Sequence, residues 1–266
     1  MKTRPVDFDA RFQAIRDSGM NDWVGGADPE QVGEACTNIF LRHVPVDASS
    51  RVLDFGCGVG RVALSLLRQR PQIAGLTGLD IVPKLVGFCR ENVGAHFPRT
   101  RFELMADAND HYDRYKDNAT PLSREEADAA FGGAHDAAYA FSVFTHIDTA
   151  DFSPLLKFVG SMLKPGGRFL FTCFILTPFS RATIELGWTL PSSFADPGFE
   201  EDGAVFIGHR GDRLAFIAFD ITRIEQMVWE AGLIPCAIEY GNWRGGGLGH
   251  GYQDVVVCRR PAASAA

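Results

Sequence analysis

The stretch Arg51-Val52-Leu53-Asp54-Phe55-Gly56-Cys57-Gly58-Val59-Gly60-Arg61 constrains this chain more than any other. Val52 to Phe55 is a short apolar run that reads as a buried strand. Val62, Leu64, Leu66 and Leu67 then supply the apolar side of a helix. The glycines form the turn between them. Without a Cβ they accept positive φ and let another molecule approach the backbone, so Gly56, Gly58 and Gly60 together make a cradle. A helix opening after Gly60 aims unpaired N–H groups at whatever lies there.

Two cofactor classes use such a turn, and spacing separates them. The dinucleotide fingerprint is G-x-G-x-x-G, with the helix dipole on a pyrophosphate. Here the glycines are one residue tighter, and an acid, Asp54, sits inside the preceding strand. A carboxylate beside the cradle repels pyrophosphate and attracts a ligand carrying positive charge. The stretch resembles the first motif of the class I S-adenosylmethionine-dependent methyltransferases, which reads hydrophobic-hydrophobic-acid-x-Gly-x-Gly-x-Gly. A second match follows at Leu163-Lys164-Pro165-Gly166-Gly167, which resembles the turn that starts the fifth strand in that family. The implied cofactor is S-adenosyl-L-methionine.

Composition agrees with one α/β enzyme. The 266 residues are 46% hydrophobic and 22% charged, enough for a sizeable core. A net charge of -7 argues against a nucleic-acid partner, because phosphate contacts need a basic surface. No run is apolar enough for a signal core or a membrane span, so a cytoplasmic location without a membrane partner is expected. The cysteines Cys36, Cys57, Cys89, Cys173, Cys236 and Cys258 show no C-x-x-C spacing and read as reduced core residues.

The N-terminal segment, residues 1–44, is expected to pack on the core. It carries Phe8, Phe12 and Trp23, a short helix, an extended piece ending at Trp23-Val24-Gly25-Gly26, and a helix capped by Asp28 with Pro29 and Gln31 following. His43 lies on the apolar stripe of that helix and reads as packing. Residues 45–175 form the cofactor-binding half. Gly75 to Asp80 is a second strand with a helix opened by Pro83, and Arg101 to Met105 is a third. A polar insertion with a helical patch near Glu125 to Phe131 precedes a fourth strand and its exit at Ala137 to Phe144. Residues 176–220 are an insertion rich in aromatics and prolines, with a hairpin pairing Ala204 to Ile207 with Leu214 to Phe219. This length at the sheet's C-terminal edge reads as a lid over the ligand crevice or as packing. Residues 221–266 add a helix at Thr222 to Ala231 and strands near Ile234 to Glu239 and Asp254 to Cys258.

Alternating strands and helices give a mostly parallel sheet with helices on both faces. The resemblance implies a Rossmann-like seven-stranded sheet whose last strand is antiparallel, with the lid after the fifth strand. For cofactor binding it points to Asp54, Phe55, Gly56, Cys57, Gly58, Gly60 and Arg61 in the first motif and to Asp80 and Ile81 at the second strand's end. Asp107 and Ala108 follow the third strand, and Phe141 and Ser142 the fourth. Asp80 fits an acceptor for ribose hydroxyls, roughly 20 residues after the glycine loop. Asp107 is implied to bind the adenine amino group.

Catalytic residues are less marked, because a sulfonium methyl is already activated and needs mainly alignment and exclusion of water. A hydroxyl acceptor requires a base, for which histidine suits the working pH. His146 either serves so or caps or packs the following helix. His250, in the glycine-rich loop 241–253, is the second candidate and His209 the third. The D/N-P-P-Y/F motif of amino-group enzymes is replaced by Ala140-Phe141-Ser142-Val143. The carboxylate set of the metal-dependent catechol enzymes has no match either, so no metal is expected. The acceptor is expected to be a small molecule or a sugar. A nucleotide-binding oxidoreductase and a noncatalytic cofactor-binding relative stand as alternatives.

Overall fold

The computed structural model describes residues 6–106, 120–187, 198–245 and 251–262. Its centre is a parallel set: β1 (Arg51–Phe55), β2 (Gly75–Asp80), β3 (Thr100–Leu104), β4 (His135–Ala140) and β5 (Leu163–Leu176), in the spatial order β3-β2-β1-β4-β5. β1 lies between β2 and β4, with Val52 opposite both Leu76 and Ala137. On the far side of β5 run β9 (Ile234–Glu239) and β10 (Asp254–Arg259). β10 is antiparallel to both β5 and β9, with a register shift between Val257 and Cys258. These seven strands are the expected sheet with its antiparallel last strand.

Side-chain alternation divides the core into two layers. Val52, Tyr139, Leu170, Val255 and Val257 face one side with α1 (Phe8–Asp17), α2 (Pro29–His43), α3 (Arg61–Gln69) and α4 (Pro83–Cys89). Leu53, Phe55, Ala138, Phe169, Phe171 and Val256 face the other, against α5 (Arg124–Phe131), α6 (Thr149–Met162) and α8 (Ile221–Glu230). Helix starts follow local chemistry. Asp28 Oδ1 accepts from the Gln31 amide at 3.0 Å, and Ser123 with Glu126 closes a capping box on α5.

Three features depart from the sequence expectation. Among the described residues the sheet has ten strands, because the insertion joins it instead of lying free. β6 (Phe199–Glu201), β7 (Val205–Ile207) and β8 (Ile217–Asp220) continue the sheet, and β8 pairs in parallel with Phe174 to Leu176 of β5. β5 is 14 residues long, so its last residues outrun β10 and offer an edge that β8 covers. The hairpin pairs Val205 to Ile207 with Ile217 to Phe219, inside the expected stretches, yet the stretch from Arg213 to Ala215 is a 3₁₀ turn and not strand. The insertion also contains a capped helix, α7 (Pro178–Glu185). Second, Met20 to Val24 is a 3₁₀ helix where an extended segment was expected. Third, Cys236 is exposed on β9 instead of in the core; Cys57, Cys89, Cys173 and Cys258 are buried. Among the described residues no helix is long and apolar enough to cross a membrane.

Candidate functional site

The β1–α3 loop is pinned to the end of β2. The Gly56 and Cys57 amides both donate to the Leu79 carbonyl at 2.8 and 3.1 Å. The Gly58 amide donates to Asp80 Oδ2 at 2.8 Å, and the Val82 amide donates to Asp80 Oδ1 at 2.9 Å. These N–H groups are thus taken by the protein, and the loop offers close approach more than donors. Gly56 has φ +77°, and a Cβ there would lie 2.3 Å from Val143 Cγ2; at Gly58, with φ +52°, it would lie 3.2 Å from Val24 Cγ1. Val24, from before the loop in sequence, and Val143, from well after it, therefore both close on the loop. Gly56→Ala combines left-handed strain with this overlap and is expected to destabilise the fold by about 1–3 kcal/mol, read by thermal melting, and to abolish cofactor binding.

Beside the loop opens a cavity of about 790 Å³. Its wall includes Asp54, Phe55, Gly56, Cys57, Gly58, Arg61, Asp80, Ile81, Phe141, Ser142 and His146, so most of the expected site residues meet in one place. Gly60 is the exception within the motif. It is not on the wall, and its Cα faces Cys89 Sγ and Val93 of the α4 side, so it serves packing. Asp107, Ala108 and His250 lie outside the described residues.

The wall carries arginines as well as acids, and beside the glycine loop stand the carboxylates Asp54 and Asp80. Asp54 is 3% exposed, and its Oδ2 has no hydrogen-bond partner; the nearby Tyr139 hydroxyl is also buried without completing one. Burial raises the Asp54 carboxyl to about 7, against the nearby Tyr139 hydroxyl, which favours the ionised form, and the neighbouring Asp80 charge adds to the rise. Burial also raises Asp80, against the backbone amides that favour its ionised form. Such a wall is stabilised by a positively charged ligand. The Arg61 guanidinium, also on the wall, donates to the Val24 carbonyl at 2.6 Å and so anchors the N-terminal 3₁₀ helix over the loop.

Past β4 the wall becomes polar in a different way. Ser142 is a non-glycine residue at φ +58°. Its amide donates to Thr172 Oγ1 at 2.8 Å, the Thr172 hydroxyl donates to Gln253 Oε1 at 2.6 Å, and Gln253 Nε2 donates to Ser142 Oγ at 3.0 Å. This ring of bonds holds a strained backbone at the cavity. Gln253 is placed by its neighbour Asp254, which is fully buried and accepts from the amides of Ile175 and Gly241, each at 2.7 Å.

His146 Nδ1 lies 2.6 Å from the Leu214 carbonyl. A carbonyl only accepts, so the neutral imidazole carries its proton on Nδ1 and its lone pair on Nε2. Leu214 and its neighbours Gly211, Asp212 and Arg213 bring the β7–β8 connection onto the cavity wall. Asp148, the N-cap of α6, and Glu201 are both held below the usual carboxylate range by hydrogen bonds from Arg213. His209 is not on the wall; its Nδ1 accepts from the Asp212 amide at 2.8 Å and shapes the turn. His43 bonds Glu239 at 2.7 Å, away from the cavity.

Sequence reasoning missed Val24 and Arg213 as wall residues. Trp23-Val24-Gly25-Gly26 carried a signal, an apolar pair followed by paired glycines, but nothing local says which loop it covers.

Comparison with known proteins agrees with this geometry. The methyltransferase-domain family matches residues 30–233. A ubiquinone biosynthesis O-methyltransferase of Xanthomonas axonopodis pv. citri is 25% identical over 170 residues, covering 63% of this chain and 62% of the relative. The chain thus spans somewhat under two thirds of that relative's length. An S-adenosyl-L-methionine-dependent Diels-Alderase of Talaromyces variabilis is 30% identical over 123 residues, covering 46% of this chain and 35% of the relative. The fold is shared with the 1,6-didemethyltoxoflavin-N1-methyltransferase of Burkholderia thailandensis, solved with S-adenosylhomocysteine bound. There the TM-score is 0.53 at 17% identity, over 97% of this chain and 92% of that one. With the family model matching most of this chain and a Rossmann-like sheet carrying a glycine loop beside the buried Asp54 and the half-buried Asp80, the chain belongs to the class I S-adenosylmethionine-dependent methyltransferases.

Proposed function

We propose that this chain transfers the methyl group of S-adenosylmethionine to a hydroxyl of a small-molecule or sugar acceptor. The observation that carries the reading is a single cavity whose wall joins Asp54, Asp80 and the glycine loop to His146, with the His146 proton held on Nδ1. The cofactor suits the residues present: the buried, unpartnered Asp54 Oδ2 answers a cation, and Gly56 and Gly58 bring bare backbone to the cavity wall beside it. In this reading Asp54 pairs with the cofactor's positive charge, and Asp80 accepts its ribose hydroxyls while holding the loop. Phe55, Cys57, Ile81, Phe141 and Ser142 line the space around it. Asp107 and Ala108 keep the adenine role that the family resemblance implies.

S-adenosylmethionine supplies a methyl already activated on sulfonium. The chain's own work is then alignment, exclusion of water and removal of a proton. His146 Nε2 would take the proton of the acceptor hydroxyl that receives the methyl, with S-adenosylhomocysteine as the leaving group. The relatives support a small acceptor in their own names, a ubiquinone-pathway O-methyltransferase and a didemethyltoxoflavin N1-methyltransferase.

The test starts with calorimetric binding of S-adenosylmethionine and S-adenosylhomocysteine, with NAD as the control. Asp80→Ala removes an acceptor of two backbone amides and is expected to weaken both sulfur ligands about 100-fold, from ~2.7 kcal/mol of charge-assisted hydrogen bonding. Isotopically labelled methyl transfer to paired hydroxyl and amine acceptors follows. NAD binding in place of the sulfur ligands would overturn the assignment, and transfer to amines alone would overturn the hydroxyl.

A further inference from the structure

We propose that Arg213 is a positioning residue for His146. By clamping the β7–β8 connection to the start of α6, it keeps the Leu214 carbonyl on His146 Nδ1 and so keeps the lone pair on Nε2. The inference deepens the proposed hydroxyl transfer and rests on it only for the use made of that lone pair.

The Arg213 guanidinium is shared between two carboxylates. Nε and Nη2 donate to Asp148 Oδ2 and Oδ1 at 2.5 and 3.0 Å, and Nη1 and Nη2 donate to Glu201 Oε1 and Oε2 at 2.5 and 2.9 Å. Only a planar guanidinium can serve two forks at once, and a lysine ammonium has neither the shape nor the donors in place. Asp148 is itself fixed, because it caps α6 and accepts from the Thr149 amide at 2.7 Å. Glu201 belongs to β6, so the clamp gathers a strand, a connection and a helix start.

The sequence relations give the clamp its point. Leu214 directly follows Arg213, and His146 stands two residues before Asp148. Two ties thus cross the same gap: Arg213 to Asp148 and the Leu214 carbonyl to His146. Imidazole in water prefers its proton on Nε2, the opposite of the tautomer this contact imposes. The side chains of Arg213, Asp148 and Glu201 are each about a third exposed, so the pairs add little to global stability. Their consequence is the register of one carbonyl against one ring.

The test reads the tautomer directly. Long-range imidazole nitrogen–proton NMR spectra of ¹⁵N-labelled full-length protein are recorded at a pH where the ring is neutral, with His146→Gln assigning the signal. Wild type is expected to show a protonated Nδ1 and an unprotonated Nε2. Arg213→Gln is expected to shift His146 toward the Nε2–H form, with melting and S-adenosylhomocysteine affinity near those of wild type. If that variant does not fold, Asp148→Asn, which keeps a good helix cap, is expected to move the tautomer the same way. With a methylated acceptor in hand, Arg213→Gln should lower kcat about tenfold, with little change in cofactor affinity. A wild-type ring protonated on Nε2, or a folded Arg213→Gln or Asp148→Asn protein with the tautomer unmoved, would overturn the proposal. Absence of methyl transfer by wild type would instead count against the hydroxyl reading, since the NMR comparison needs no turnover.

Discussion

Asp54→Asn is expected to weaken S-adenosylmethionine binding about 100- to 1,000-fold while raising the melting temperature of the ligand-free protein at pH 8. Both effects come from one buried oxygen. Asp54 Oδ2 lacks a partner, and burial lifts the carboxyl to about 7. The folded chain therefore binds this proton more tightly than the unfolded chain, where an aspartate titrates near ~3.9. Stability of the ligand-free protein falls as pH rises from about 4 to 7, and asparagine removes that penalty. A cationic ligand needs the ionised carboxylate, and losing one side of a buried ion pair costs ~3–4 kcal/mol. Wild-type affinity should also fall about tenfold per pH unit below 7, whereas Asp54→Asn should be flat. Calorimetry from pH 5.5 to 8.5, with melts alongside, reads all three, and a wild type without pH dependence would remove Asp54 from the cofactor's charge.

His146→Gln is expected to lower kcat for a hydroxyl acceptor by about 10²- to 10⁴-fold, the usual worth of a general base. Cofactor affinity should stay within about twofold, because the glutamine amide can still donate to the Leu214 carbonyl and hold the wall in place. The measurement is a steady-state rate with labelled cofactor beside a calorimetric Kd. An unchanged kcat would return His146 to the alternative reading from sequence, a residue that packs at the start of α6 and nothing more.

Local chemistry was read well from sequence. The strand ends carrying Asp54 and Asp80, the capped start of α2, the fourth and fifth strands and the antiparallel β10 all fall where apolar periodicity and glycine turns place them. Each is decided within a few residues by backbone period, capping or a missing Cβ. Gly60 shows the limit of that reading. It has the same spacing as Gly56 and Gly58, yet it is not on the cavity wall and packs against Cys89 and Val93.

The contacts that complete the cavity join distant parts of the chain. Ser142 and Gln253 are 111 residues apart, and His146 and Leu214 are 68 apart. Val24 sits over Gly58 because Arg61 holds its carbonyl, and Leu214 reaches His146 because β8 adds to the overrunning end of β5. No local pattern encodes such pairings. The amino-acid order determined which residues would stand at the ends of β1, β2 and β4, since turn chemistry and side-chain alternation are properties of neighbours. The tertiary structure decided what faces them, since strand order and the docking of the insertion are settled by burying both faces of one sheet at once.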